Sequence, residues 1–187
     1  FTPRGIHSVI SREKNNLVGP DAFRERVASF YDQTVADVYE LYQRKLFGSN
    51  AVDFDDLLYL TVDALERFPE AQERWRKAFR YVLVDEYQDT NHAQYVLLKL
   101  LAQDHQNLMV VGDPDQSIYS FRSADIRNIL EFEKDFPDTK VIPLEQNYRS
   151  TNAILGASNA VIQQNRERKD KNLWSELGEG DPVRVLE

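Results

Sequence analysis

Tyr81-Val82-Leu83-Val84-Asp85-Glu86-Tyr87-Gln88-Asp89-Thr90 is the stretch whose reading decides the fold. Its first four residues are aromatic, β-branched or aliphatic and are flanked by charge, the pattern of a strand buried on both faces. The run ends on two adjacent carboxylates, Asp85 and Glu86. In an open parallel sheet the ligand crevice lies beyond the carboxyl ends of the strands, so acidic residues there meet a ligand and not the core.

Such a pair can divide its labour. The first carboxylate can hold Mg²⁺ on a nucleotide's phosphates, while the second, pointing elsewhere, orients and deprotonates an attacking water. An Asp-Glu pair after a strand also commonly just opens the next helix, and taken alone the two residues favour that blander role.

Downstream the chain alternates. Asn91 and Gln94 form a capping pair for a helix bearing Tyr95, Leu98, Leu101 and Ala102. A second buried strand is expected from Asn107 to Val111, ending at Gly112-Asp113-Pro114-Asp115-Gln116. A helix follows over Ile126 to Phe136, a third strand over Lys140 to Leu144, and a helix from Thr151 to about Gln164. Strand and helix alternating from residue 80 onward mean a parallel α/β sheet, and polar residues past two strand ends suggest one site built from neighbouring strands.

Upstream the pattern is helical. Arg4 to Leu17 shows weak periodicity and stops at Val18-Gly19-Pro20. A single helix of roughly 40 Å is expected from Pro20 to about Leu46, since Phe23, Val27, Phe30, Tyr31, Thr34, Val38, Leu41 and Tyr42 recur in steps of three and four. Gly48-Ser49-Asn50 breaks the chain and marks an expected domain boundary. Helices are then expected from Val52 to Phe68, opened by Asp53, and from Glu70 to Phe79 after Pro69. Gln164 to Lys171 reads as a solvated turn.

Composition narrows the class. A chain of 187 residues with 42% hydrophobic and 11% aromatic content can build one ordinary domain, or one domain with pieces of others. It begins with Phe1 and ends in the extended run Val183 to Glu187, so it is read as part of a longer protein. No apolar run approaches a membrane span, and there is no cysteine, which suits a cytoplasmic protein. His7, His92 and His105 lack metal-ligand spacing. The net charge of −8 argues against a simple basic DNA-binding module. Residues 51–140 hold 18 acidic against 10 basic side chains, so the acid surplus surrounds the Asp85-Glu86 pair. Any contact with nucleic acid should therefore use a local surface and aromatic stacking.

Three blocks stand together: Val-Asp-Glu-Tyr-Gln-Asp-Thr at 84–90, Val-Gly-Asp-Pro-Asp-Gln-Ser-Ile-Tyr-Ser-Phe-Arg at 111–122, and Gln-Asn-Tyr-Arg-Ser at 146–150. Their order and spacing resemble the ATP-dependent DNA helicases of superfamily one, the UvrD/Rep/PcrA type, as does Asp53-Phe54-Asp55-Asp56-Leu57-Leu58. The resemblance covers essentially the whole chain. It implies a RecA-like P-loop motor fold, with residues 1–49 ending a helical insertion, 50–140 forming the second half of the first motor domain, and 141–187 opening the second.

The same resemblance implies roles. Asp85 corresponds to the Mg²⁺ carboxylate and Glu86 to the base that activates water. Gln116 would sense the γ-phosphate, and Arg122 would link the nucleotide site to the DNA track. Arg149 resembles the arginine finger that reaches the γ-phosphate from the second motor domain, and Tyr148 would stack on adenine. Phe54, Tyr119 and Phe121 match aromatic positions that contact bases of single-stranded DNA. For Phe54 alone a core phenylalanine is nearly as good a reading, whereas Tyr119 and Phe121, as alternate residues of an extended segment, share a face. Phe121 stands where the family usually has tryptophan, and Ser123 where glycine is common.

No Gly-x-x-x-x-Gly-Lys-Ser/Thr loop occurs, and none of the seven glycines precedes a lysine. The expectation is a parent enzyme that uses ATP and Mg²⁺ to move along single-stranded DNA and open single-strand/duplex junctions, and a chain that on its own does not hydrolyse ATP. The rival is a DNA- or partner-binding module that kept the fold without hydrolysis; intact Asp85, Glu86, Gln116 and Arg149 favour the motor.

Overall fold

The computed structural model describes residues 1–119, 124–165 and 171–184. Helices α1 (Pro3–Asn15), α2 (Pro20–Arg24), α3 (Phe30–Gly48), α4 (Phe54–Arg67) and α5 (Pro69–Ala78) precede strand β1 (Val82–Val84). Then come α6 (His92–Ala102), strand β2 (Leu108–Val110), the short helices α7 (Arg127–Leu130) and α8 (Phe132–Asp135), and α9 (Asn152–Ile162). The chain forms two compact units, residues 1–113 with 117–129, and residues 114–116 with 130–187.

In the first unit the apolar stripes of α1 to α3 meet in a core of Ile6, Ile10, Val18, Phe23, Val35, Ala36 and Tyr39. Tyr39 is fully buried, and its hydroxyl donates to the Val18 carbonyl at 3.0 Å, so the polar end of a core ring is satisfied where α1 stops. The expected stop at Val18-Gly19-Pro20 is present. The single long helix from Pro20 is not. Ser29 caps a new helix, its Oγ accepting from the Asp32 N–H at 3.1 Å, so α2 and α3 are separate. The chain breaks after α3 as expected, with Asn50 in the left-handed region and the Ala51 N–H bonded to the Leu46 carbonyl. Residues on either side of that break belong to one compact unit.

Asp53 opens α4 with a complete capping box, as Asn91 and Gln94 do for α6. α4 packs against α1, α5 and α6. β1 and β2 pair in parallel, Val82 with Leu108, Leu83 with Met109 and Val84 with Val110, which gives the expected α/β character.

Three expectations need correction. β1 is not buried on both faces: Leu83 and Met109, partners in the register, are 72% and 56% exposed and share an uncovered face of the two-stranded sheet. Lys140 to Leu144 is not a strand. Among the described residues nothing pairs with it, and Val141, Ile142 and Leu144 are exposed. The helix expected over Ile126 to Phe136 is two four-residue pieces interrupted at Glu131.

In the second unit Phe132 and Phe136 stack and are buried with Leu155. Residues 172–180 run along 145–153: Trp174 N–H donates to the Glu145 carbonyl, Asn147 N–H to the Trp174 carbonyl, and the first N–H groups of α9 to the carbonyls of Gly178 and Glu179. No described helix is long and apolar enough to cross a membrane.

Candidate nucleotide and nucleic-acid site

The parallel register places the carboxyl ends of β1 and β2 side by side, and two hydrogen bonds continue the ladder past both strands. Val111 N–H donates to the Val84 carbonyl at 2.8 Å, and Tyr87 N–H to the Val111 carbonyl at 3.0 Å. Asp85 and Glu86 therefore sit on the rim, and both are exposed. Asp85 Oδ1 accepts from the Glu86 N–H at 2.9 Å. Glu86 adopts φ 50°, ψ 43°, a left-handed conformation uncommon for glutamate. That turn carries the chain from the strand end into the 3-10 turn Tyr87–Asp89.

A residue that sequence reasoning passed over completes this rim. Gln88 is 1% exposed; its Nε2 donates to Glu86 Oε2 at 2.8 Å, and its Oε1 accepts from the Asp113 N–H at 3.0 Å. It thereby joins the loop after β1 to the loop after β2. Gly112 leaves the space, for a Cβ there would lie 2.6 Å from Gln88 Oε1 and 3.1 Å from the Tyr87 nitrogen. The signal was a polar residue inside the decisive stretch, but its burial is a tertiary fact.

Phe54, the first residue of α4, is 90% exposed, which removes the reading as a core ring. Its helix end is anchored from below. The fully buried Lys14 ammonium lies 2.8 Å from Asp53 Oδ2 and 2.8 Å from Asp56 Oδ1. The Tyr42 hydroxyl donates to Asp53 Oδ2 at 3.0 Å, and Gln43 donates to Asp56. Burial alone would push the Asp53 carboxyl up, but hydrogen bonds from Lys14, the Asp56 N–H and Tyr42 hold it below the usual range. Burial, with the bond to Asp53, pushes Tyr42 up to about 12. Next to Lys14, Asn15 donates to Asp55 Oδ1 at 2.9 Å and accepts from Asn91, the cap of α6. The start of α4 and the start of α6 thus share one α1 residue. Sequence reasoning missed Lys14, although its spacing from Ile6 and Ile10 puts it on the apolar face of α1.

Tyr148 and Arg149 lie in the second unit. Asn147 Oδ1 accepts from the N–H groups of Arg149 and Ser150, at 2.9 and 2.8 Å, which shapes the turn. The Tyr148 ring is 79% exposed, with its hydroxyl donating to Gln146. Arg149 is exposed and has no ion pair with another described residue. Gln116 ends the 3-10 turn Pro114–Gln116 and is exposed; Tyr119 is 36% exposed. Phe121 and Arg122 lie outside the described residues.

The donor set suits a cofactor that brings most of its own ligands. Among the described residues no three His, Asp or Glu side chains gather as a metal cage, whereas Mg²⁺ on a nucleotide needs only one or two carboxylates besides phosphates and water. Asp85 at the rim fits that requirement.

Two family models cover nearly all of the chain: the UvrD/REP helicase N-terminal domain matches residues 1–137, and the UvrD-like helicase C-terminal domain matches residues 142–187. The chain belongs to the UvrD/REP helicase family. Within it, the chain is 55% identical over 180 residues to the ATP-dependent DNA helicase PcrA of Bacillus subtilis, covering 96% of this chain and 24% of that protein. Its similarity to the PcrA proteins of Staphylococcus epidermidis (52% over 187 residues, 100% of this chain and 26% of the relative) and Leuconostoc citreum (50% over 183 residues, 98% and 24%) is comparable. The chain spans about a quarter of the length of these curated relatives.

Proposed function

We propose that this chain is part of a cytoplasmic ATP-dependent DNA helicase that couples ATP hydrolysis to movement along single-stranded DNA and to opening of single-strand/duplex junctions, in DNA repair or replication. Its fold is that of a RecA-like motor, with residues 1–49 ending a helical insertion, 50–140 completing the first motor domain and 141–187 beginning the second. The family models, which change over between residues 137 and 142, support the last of these divisions. The observation that carries the reading is the exposed Asp85-Glu86 couple at the joined ends of two parallel strands, with the Glu86 carboxylate held by a buried amide.

Each group has a task. Glu86 accepts the proton of the water that attacks the γ-phosphorus, and its fixed carboxylate aims that water. Asp85 would hold Mg²⁺, which when bound neutralises phosphate charge. Gln116 contacts the γ-phosphate, and Arg122 connects that contact to DNA. The Arg149 guanidinium stabilises charge that grows on the transferred phosphoryl group, an effect on the order of 10³ to 10⁵ in rate in related chemistry. Tyr148 covers the adenine. Phe54, Tyr119 and Phe121 stack on bases, each worth about 1–3 kcal/mol without regard to sequence, as movement along arbitrary DNA requires.

In the full-length protein, Arg149→Ala lowers DNA-stimulated ATP turnover by about 10³-fold while single-stranded DNA affinity is unchanged. Turnover within a few fold of the unaltered protein contradicts the assignment.

A further inference from the structure

We propose that Gln88 is the positioning residue for Glu86, locking the water-activating carboxylate to the loop that follows β2. The inference rests on the role given to Glu86 above and deepens it. An exposed glutamate has three rotatable side-chain bonds and, left alone, spreads its carboxylate over several ångströms. Aiming a water at phosphorus tolerates far less.

The geometry supplies the restraint. Gln88 is buried, and the two ends of its amide are used differently: the N–H₂ donates to Glu86 Oε2 at 2.8 Å, and the oxygen accepts from the Asp113 N–H at 3.0 Å. The partners dictate this orientation. Turning the amide over would set its oxygen against a carboxylate and its N–H₂ against a backbone N–H, both repulsive. The backbone around it is pinned as well. Tyr87 N–H bonds to the Val111 carbonyl at 3.0 Å, and the Ser117 hydroxyl lies 3.4 Å from the Gln88 carbonyl as its donor. Glycine at 112 allows the close approach, since a Cβ would fall 2.6 Å from the Gln88 oxygen.

A merely structural glutamine would need only its acceptor half, which satisfies Asp113. The donor half is committed to the carboxylate, so the two functions can be separated. Gln88→Glu keeps an acceptor for Asp113 and replaces the donor by a like charge; Gln88→Met keeps the volume and removes both bonds. Through the donor half, movement of the β2 loop is felt directly at the carboxylate.

The test uses the full-length protein with saturating single-stranded DNA. Both Gln88→Glu and Gln88→Met are expected to lower kcat for ATP about 10- to 100-fold, with KM for ATP and Kd for single-stranded DNA within about twofold. In a Glu86→Gln background, single-turnover assays should show no further loss from Gln88→Met. A structural role predicts instead an equal loss in both backgrounds together with shifts in KM, Kd and Tm, and that result overturns the proposal. Should Gln88→Met fold poorly, Gln88→Glu with unchanged Tm and DNA affinity but unchanged kcat overturns it equally. Loss of turnover in Glu86→Gln but not in either Gln88 variant sinks the positioning role alone. Persistence of turnover in Glu86→Gln sinks the functional reading and this inference with it.

Discussion

Glu86 occupies a backbone conformation with φ 50°, which for a side chain other than glycine costs about 1–2 kcal/mol. The surrounding bonds hold it there: its own N–H to Asp85, its carboxylate to Gln88, and the following N–H to the Val111 carbonyl just past β2. Gly112 is part of the same arrangement. Gly112→Ala in the full-length protein therefore pushes on Gln88 and on the Tyr87 backbone. It is expected to lower kcat at least tenfold and to cost about 1–3 kcal/mol of stability, read by an ATPase assay and urea unfolding. Unchanged turnover would show that the space beside Gln88 is not critical. The sequence placed Asp85 and Glu86 correctly at a strand end because a short apolar run followed by charge is a local pattern. It did not disclose Gln88, whose second partner, Asp113, sits 25 residues away in the chain on another loop.

At the scale of elements, caps were the most legible feature. Asn91 with Gln94 forms the expected box, and Asp53 opens α4 as expected, with Asp56, three residues on, completing a second box. The division of α2 from α3 was hidden because Phe23, Val27 and Tyr31 keep helical spacing through the gap; Ser29 followed by Asp32 was the overriding signal. The start of α4, which presents Phe54, depends on a buried ionic cluster. Removing its cation leaves two acids uncompensated, so Lys14→Met should destabilise the chain by about 3–5 kcal/mol in urea unfolding. A cost below 1 kcal/mol would mean that water reaches the cluster.

The same cluster sets a pH dependence. Asp53 lies below its ordinary value of 3.8, so the folded state binds fewer protons than the unfolded chain. Its contribution is complete above about pH 4 and is lost as pH falls through the lower folded value. Urea midpoints recorded from pH 6 to pH 2.5 should therefore fall at the acid end, and less steeply for Lys14→Met. Parallel curves for the two proteins would exclude this source.

For the molecule as a whole, the α/β character and the resemblance carried by four motifs were readable because alternation and motif order survive in one dimension. The third strand and the double-sided burial of β1 were not. A strand exists through its neighbours, and among the described residues Val141 to Leu144 has none, while Leu83 and Met109 share an uncovered face. The chain also has no lysine-bearing glycine loop to balance its acidic couple, so the isolated 187-residue protein is expected to show no DNA-stimulated ATP turnover. Turnover comparable to that of an intact helicase would overturn this. The most direct test of the central claim is ATP turnover and single-stranded DNA affinity of the full-length protein, before and after Glu86→Gln. Water activation by Glu86 predicts that turnover collapses while DNA still binds with its original affinity. Turnover that continues undiminished would contradict the account.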